Sequence, residues 1–327
     1  MNISKYADIK GKIERYLGQF GEIYVPDAIK IDKDELLGLD DQKEYLNSFF
    51  KALVDFSNEE KKLRENLFPI PIIFSALLVG PPGTGKTTLA KAFAKEYNIP
   101  IIVVFSNALI GSLLGESLNR VKNLLRQAER YARTDKPIIL FFDEIDAISS
   151  ERANKSDVGE IKRMVISFLQ ELDLLLEKQL PIGIIGATNH PGQLDKAVWR
   201  RFTFKIDFPA PSDEMRLELI NHFLQKIGTK FEVDDSFYDK ESQGKLREVS
   251  IKMTGADIER AFQIAVLQSY ASRTESGNPI DFNFNDLYNA IKSLTKKSYN
   301  EDSTNDYKKE EQNNSDYQDE PGIPQVE

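Results

Sequence analysis

Apolar side chains run along this chain in two rhythms. Between about residues 35 and 208, short, strongly apolar runs recur at Ile72–Val79, Ile101–Phe105, Ile138–Phe142, Ile182–Ala187 and Phe202–Phe208. Such runs predict buried parallel strands. Between them the apolar positions fall three and four apart. Leu118, Val121, Leu125, Ala128 and Ala132 make one stripe, and Ile161, Val165, Phe168, Leu172 and Leu175 make another. Both predict helices with one buried face. Strand–helix alternation of this kind implies a three-layer α/β domain around a parallel five-stranded sheet.

Outside that region the strand rhythm fades. Leu217, Ile220, Phe223 and Leu224 line one helix, Ile258, Ala261, Phe262, Ala265 and Val266 a second, and Leu287, Ala290, Ile291 and Leu294 a third. Residues 211–296 therefore read as a small helical domain following an α/β domain at 35–210. Residues 1–34 carry Tyr6, Ile9, Ile13, Tyr16, Leu17 and Phe20 at helical spacing. That face could pack on the main body or dock a partner. Residues 297–327 are polar and acidic and read as a disordered tail.

Composition narrows the chemistry. The chain has 327 residues and no cysteine. A disulfide scaffold, a thiolate metal site and a thiol nucleophile are thereby excluded. The two histidines, His190 and His222, argue against a multi-histidine metal centre. The first residues lack a continuous apolar core of the signal-peptide kind. No apolar run approaches the roughly 20 residues that span a bilayer, so membrane insertion is not expected and a cytoplasmic location is. The net charge is −9, and residues 298–327 contribute most of it with nine acidic and two basic side chains. A nucleic-acid partner, which would call for a basic excess, is not expected.

The sharpest local signal is Gly80-Pro81-Pro82-Gly83-Thr84-Gly85-Lys86-Thr87, followed by Thr88. It sits between a strand-like run and a helix-like one. This is the G-x-x-x-x-G-K-[ST] phosphate loop, in which backbone N–H groups and a helix N-terminus cradle phosphate oxygens. Lys86 would reach the β- and γ-phosphates of ATP and the Thr87 hydroxyl would ligate Mg²⁺. The run Ile138–Phe142 ends in Asp143 and Glu144. Acids at the tip of a buried strand lie where ligands of α/β sheets bind. Asp143 suits metal binding and Glu144 the polarising of an attacking water, although Asp143 and Asp146 could also cap a helix. The run Ile182–Ala187 leads to Thr188-Asn189, whose amide could hold that water or merely make the turn before Pro191.

In their order along the chain, these motifs resemble the AAA family of P-loop ATPases. Gly80–Thr87 matches its Walker A form and FFDEIDAI its Walker B. Ile185 to Pro191 is similar to the sensor 1 region. Leu194 to Phe202 resembles the second region of homology, which implies Arg200 and Arg201 as arginine fingers acting on a neighbouring subunit's ATP. Thr254-Gly255-Ala256-Asp257 resembles the sensor 2 region, where Gly255 and Ala256 approach the nucleotide. Leu37-Gly38 resembles the segment that touches adenine. The resemblance covers about residues 35–296 and implies an ATP-hydrolysing homo-oligomer, a hexameric ring, that remodels a protein client. Two departures stand out. The family's pore loop carries an aromatic residue, whereas the matching place here is Leu113-Leu114-Gly115. The family's Asp-Gly-aromatic signalling motif is replaced by Asp173-Leu174-Leu175. The missing aromatic leaves room for an ATP-dependent binding switch that recruits a partner without threading. The sequence is also similar to small bacterial members that accompany subtilisin-like proteases.

Overall fold

All five apolar runs form strands, and a sixth strand joins them. The computed structural model describes residues 11–58 apart from 12 and 16, and then 72–105, 114–134, 136–146, 158–271 and 281–295. The strands are β1 (Gly21–Tyr24), β2 (Ser75–Val79), β3 (Ile101–Val104), β4 (Ile138–Phe142), β5 (Ile182–Thr188) and β6 (Phe204–Asp207). Their order across the sheet is β1-β3-β4-β5-β2-β6. Every neighbouring pair is parallel except β1 and β3. The expected five-stranded parallel sheet is thus corrected to six strands with one antiparallel edge. Only Ile23 and Tyr24 in Gly21-Glu22-Ile23-Tyr24 are large and apolar, which is too little pattern to read as a strand. Tertiary pairing makes it one. A Cβ at Gly21 would lie 2.2 Å from the Val103 carbonyl oxygen, so only glycine lets the backbones approach this closely.

Period-two alternation divides the buried strand residues between the two faces of the sheet. On one face Leu77, Leu140, Phe142 and Ile184 pack against Val121 and Leu125 of α3 (Leu114–Ala132) and Phe168 and Leu172 of α4 (Val158–Glu177). Ile13, Leu17 and Phe20 are buried in the same cluster. On the other face Ala76, Leu78, Ile139, Phe141 and Ile185 meet Phe49, Phe50 and Leu53 of α1 (Asp40–Asn58) and Leu89 and Phe93 of α2 (Lys86–Glu96). Both faces of β2, β4 and β5 are therefore dry, as expected of strands inside a parallel sheet. The expectation of a buried strand is corrected for β6: it alternates, with Lys205 and Asp207 exposed, because it is the last strand of the sheet. A short helix, α5 (Lys196–Arg201), leads into β6.

The chain divides into two compact units, Met1–Ala210 and Pro211–Glu327. The second holds α6 (Asp213–Gly228), α7 (Lys240–Val249), α8 (Gly255–Ala271) and α9, over 284–295. Its core joins Ile220, Leu224, Leu246, Ile258, Phe262, Leu287 and Ile291. The unit is helical, as expected, with one addition. Glu232–Val233 (β7) and Asp281–Phe282 (β8) form a two-stranded parallel sheet. It places the Phe282 ring 5.7 Å from Phe237 and 5.9 Å from Phe262, stacked on both. Strands of two residues carry no periodicity that a sequence pattern could register.

The tail at 297–327 and the pore-loop position Leu113 lie outside the described residues. Leu114 begins α3, and its side chain is outside them too. Among the described residues no helix is long and apolar enough to cross a membrane.

Candidate nucleotide-binding site

The strand order brings the chemistry-bearing residues to one edge of the sheet. β5 lies between β2 and β4, with Val79 opposite Thr188 and Gly186 opposite Phe142. The residues that leave the ends of these strands are Gly80, Asn189 and Asp143. Sequence separations of 63 and 46 residues are collapsed there because parallel strands all end on the same side. The Gly80 N–H donates to the Thr188 carbonyl at 3.2 Å, which ties the phosphate loop to the end of β5.

The loop itself is built on backbone geometry. Gly80, Gly83 and Gly85 have φ of 157°, 76° and 91°. Gly85 hands over to α2 as its left-handed N-cap. A Cβ at Gly80 would sit 2.0 Å from the Phe208 carbonyl oxygen. Neither partner is a flexible side chain, so the backbone itself would have to move. Gly80→Ala should therefore cost about 3 kcal/mol of stability through overpacking and an unfavourable φ, read as a lower denaturant midpoint at unchanged slope. Thr84 closes the loop by donating its hydroxyl to the Pro81 carbonyl at 2.9 Å.

Lys86 is 6% exposed, the most buried lysine of the site. Its Nζ donates to the carbonyls of Gly80 and Pro81, each at 2.7 Å, and to Asn189 Oδ1 at 2.8 Å. Three neutral acceptors hold the ammonium without cancelling its charge. Burial pushes its pKa down, while Asp143 and Asp146 pull it back up. An anionic phosphate would relieve that desolvation. The Thr87 hydroxyl donates to Asp143 Oδ2 at 3.2 Å. The pair presents a hydroxyl and a carboxylate oxygen, the hard donors that Mg²⁺ accepts. Among the described residues no group of three or more His, Asp or Glu side chains could hold a metal alone. Mg²⁺ binds through one or two protein oxygens and completes its shell with phosphates and water. When bound, the ion would neutralise charge on the phosphate oxygens.

Glu144 follows Asp143 and is exposed. Its φ is 49°, a left-handed value for a side chain that is not glycine. Its N–H donates to Asp143 Oδ1 at 3.1 Å. Strain of this kind persists only where the surroundings enforce it and clusters at functional sites. Gly38 has φ 66°, and Leu39 next to it packs its Cδ1 3.4 Å from where a Cβ of Gly85 would stand. The Leu37-Gly38 segment is thereby set beside the end of the phosphate loop.

The other expected site residues lie on α5 and α8. Leu194, Val198 and Phe202 anchor α5 in the core. Arg200 is exposed, while the half-buried Arg201 makes a two-pronged ion pair with Asp173 of α4, at 3.0–3.2 Å. Gly255 and Ala256 open α8 in the second unit. Thr254 there receives the Asp257 N–H at 3.4 Å and gives its own N–H and hydroxyl to Asp257 Oδ2 at 2.9 and 2.7 Å. Asp257 thus fixes the turn that presents Gly255 and Ala256.

Two features escaped the sequence pattern. The Asp173–Arg201 pair spans 28 residues and has no local signal. Tyr24, on the unforeseen β1, lies under the Lys91 ammonium of α2 at 3.6 Å. Burial and the Glu22 carboxylate push the Tyr24 hydroxyl up to about 12.

Residues 76–210 match the ATPase family associated with various cellular activities (AAA). The chain carries an AAA ATPase domain. Relatives include a putative 26S proteasome regulatory subunit homolog of Methanothermobacter thermautotrophicus. It is 31% identical over 249 residues, which are 75% of this chain and 60% of that protein. Another, the proteasome-activating nucleotidase of Methanocaldococcus jannaschii, is 38% identical over 172 residues, 51% of this chain and 39% of that one. The chain therefore spans less than two thirds of the length of these relatives. Among solved structures, the AAA domain of FIGL-1 in complex with ADP matches with a TM-score of 0.62 at 23% identity. The match covers 86% of this chain and 89% of that one. A chain in the E. coli MS115-1 HORMA:CdnC:Trip13 complex matches at 0.64 and 20% identity, covering 84% and 95%. At these identities the structural matches speak to the fold.

Proposed function

We propose that this AAA protein hydrolyses ATP with Mg²⁺ and uses the cycle to remodel a protein client as a ring of identical subunits, a hexamer. The observation that carries the ATPase reading is the cluster at the sheet edge. There Lys86 is held by Asn189 and the loop carbonyls while Thr87 faces Asp143. The loop N–H groups and Lys86 bind the β- and γ-phosphates. Glu144 accepts a proton from the attacking water, and the Asn189 amide keeps that water in line. Leu37 and Gly38 border the base. Charge growing on the γ-phosphoryl oxygens is met by the arginine pair at 200 and 201 from the next protomer. Such fingers contribute about 10³–10⁵ in rate in the systems where they are known.

The names of the relatives support a partner involved in protein turnover, and a cytoplasmic setting fits such a partner. A switch that recruits a partner, such as a subtilisin-like protease, without threading is the second reading. It is favoured by leucines where a pore aromatic is expected, since an aliphatic grip offers less contact area than a ring.

Mixing two inactive variants tests the shared site. The Arg200→Ala, Arg201→Ala protein keeps its own phosphate loop, and Lys86→Ala keeps its arginines. If both assemble by light scattering, mixtures should regain ATPase activity with a maximum at an intermediate ratio. Full activity of the double arginine variant alone, at a specific rate independent of protein concentration, would sink the ring mechanism.

A further inference from the structure

The two adjacent arginines of α5 occupy different environments, and helix geometry explains why. Val198 is 1% exposed and points into the core. At about 100° per residue, Arg200 lies on the opposite side of the helix and Arg201 returns to within about 60° of the core direction. Arg200 is accordingly exposed and has no hydrogen-bond or ion-pair partner among the described residues. Arg201 turns toward α4. There its Nε lies 3.0 and 3.2 Å from the two Asp173 carboxylate oxygens, and its Nη2 3.0 Å from Oδ2. The two side chains are 38% and 40% exposed.

These environments suit different tasks. A finger must bring uncompensated positive charge to a phosphate of another chain. Arg201 spends two of its three nitrogens, and its charge, on a carboxylate of its own chain. A fork-on-carboxylate pair fixes orientation better than a point charge would. Its net energy at this exposure is small, so its value lies in geometry. The pair ties α5, six residues long and held otherwise by Leu194, Val198 and Phe202, to the twenty-residue α4.

We propose that Arg200 alone is the finger, and that Arg201 with Asp173 is a positioning pair that aims α5 and so Arg200. This rests on the reading that the arginine pair serves a neighbour's ATP, and it divides the labour within that pair.

Steady-state ATPase rates of four assembled proteins at saturating ATP test the division. Arg200→Ala should fall by at least about 100-fold, in line with loss of a finger. Arg201→Asp and Asp173→Arg should each fall by about tenfold or more, because like charges then face each other across the α4–α5 contact. The double swap, Asp173→Arg with Arg201→Asp, restores the pair with its charges exchanged. It should recover to within about threefold of the unsubstituted protein, with KM for ATP unchanged. A double swap as inactive as Arg201→Asp would overturn the proposal, since a guanidinium would then be needed at 201 itself. Should the swapped protein not fold, Asp173→Asn with Arg201→Gln replaces it. That pair carries no charge and can keep one hydrogen bond. Activity within about tenfold supports the positioning role, and a loss of 100-fold or more overturns it. An active Arg200→Ala protein beside an inactive Arg200→Ala, Arg201→Ala protein would also overturn the proposal. Failure of the shared-site reading looks different: the double alanine variant would itself remain active at every protein concentration.

Discussion

Glu144→Gln should bind ATP with near-normal affinity and hydrolyse it about a hundred to a thousand times more slowly. The amide has the shape of the carboxylate and none of its basicity, so the attacking water keeps its place and loses its proton acceptor. General-base contributions of about 10²–10⁴ set the scale. The backbone at Glu144 is held at φ 49° two residues past the end of β4, and that constraint does not depend on side-chain charge. The substitution should therefore leave the fold and the Thr87–Asp143 contact in place. Phosphate release under saturating ATP, set beside binding of a fluorescent ATP analogue, separates the two effects. A wild-type rate would show that Glu144 is not the base. Tight binding with slow turnover would also make this variant the best bait for the client.

Lys86→Ala should fail one step earlier, at binding. The ammonium is almost fully buried and has three acceptors around it. Removing it strips two carbonyls and the Asn189 amide oxygen of a donor and leaves the incoming phosphates facing those oxygens with no positive charge between them. Breaking a buried charged pairing costs about 3–5 kcal/mol. On that scale the dissociation constant for ATP should rise by at least about 100-fold. Calorimetric titration checks it. Affinity within about threefold of the unsubstituted protein would mean that backbone N–H groups alone bind the phosphates. Because Lys86 also ties Asn189 to the loop, the same variant should lower the melting temperature of nucleotide-free protein by a few degrees.

Legibility of the site tracked the distance over which its contacts are made. Gly80 to Thr87 could be read because each glycine and the lysine are placed by a turn only eight residues long, where backbone geometry dictates residue type. Asp143 and Glu144 could be read from the buried strand before them. The pattern offered Asn189 only as an amide that could hold a water or make a turn; that it accepts from Lys86 depends on β5 lying beside β2 in the sheet, across more than a hundred residues of chain. The Asp173–Arg201 pair could not be read at all. Each partner looks like an ordinary surface charge until α4 and α5 are packed together.

The same division runs through the fold. Hydrophobic rhythm by itself determined where five strands run, the helices between them and a separate helical unit beyond residue 210, because a strand or a helix must show its period in order to bury a face. Tertiary structure alone decided the β1-β3-β4-β5-β2-β6 order, the recruitment of Gly21–Tyr24 as an antiparallel edge and the pairing of Glu232–Val233 with Asp281–Phe282. It also decided that one arginine of α5 faces outward while the next is held by an aspartate 28 residues earlier. Local pattern records which side of an element avoids water. Which other element meets that side is settled only when the whole chain competes for the same buried space.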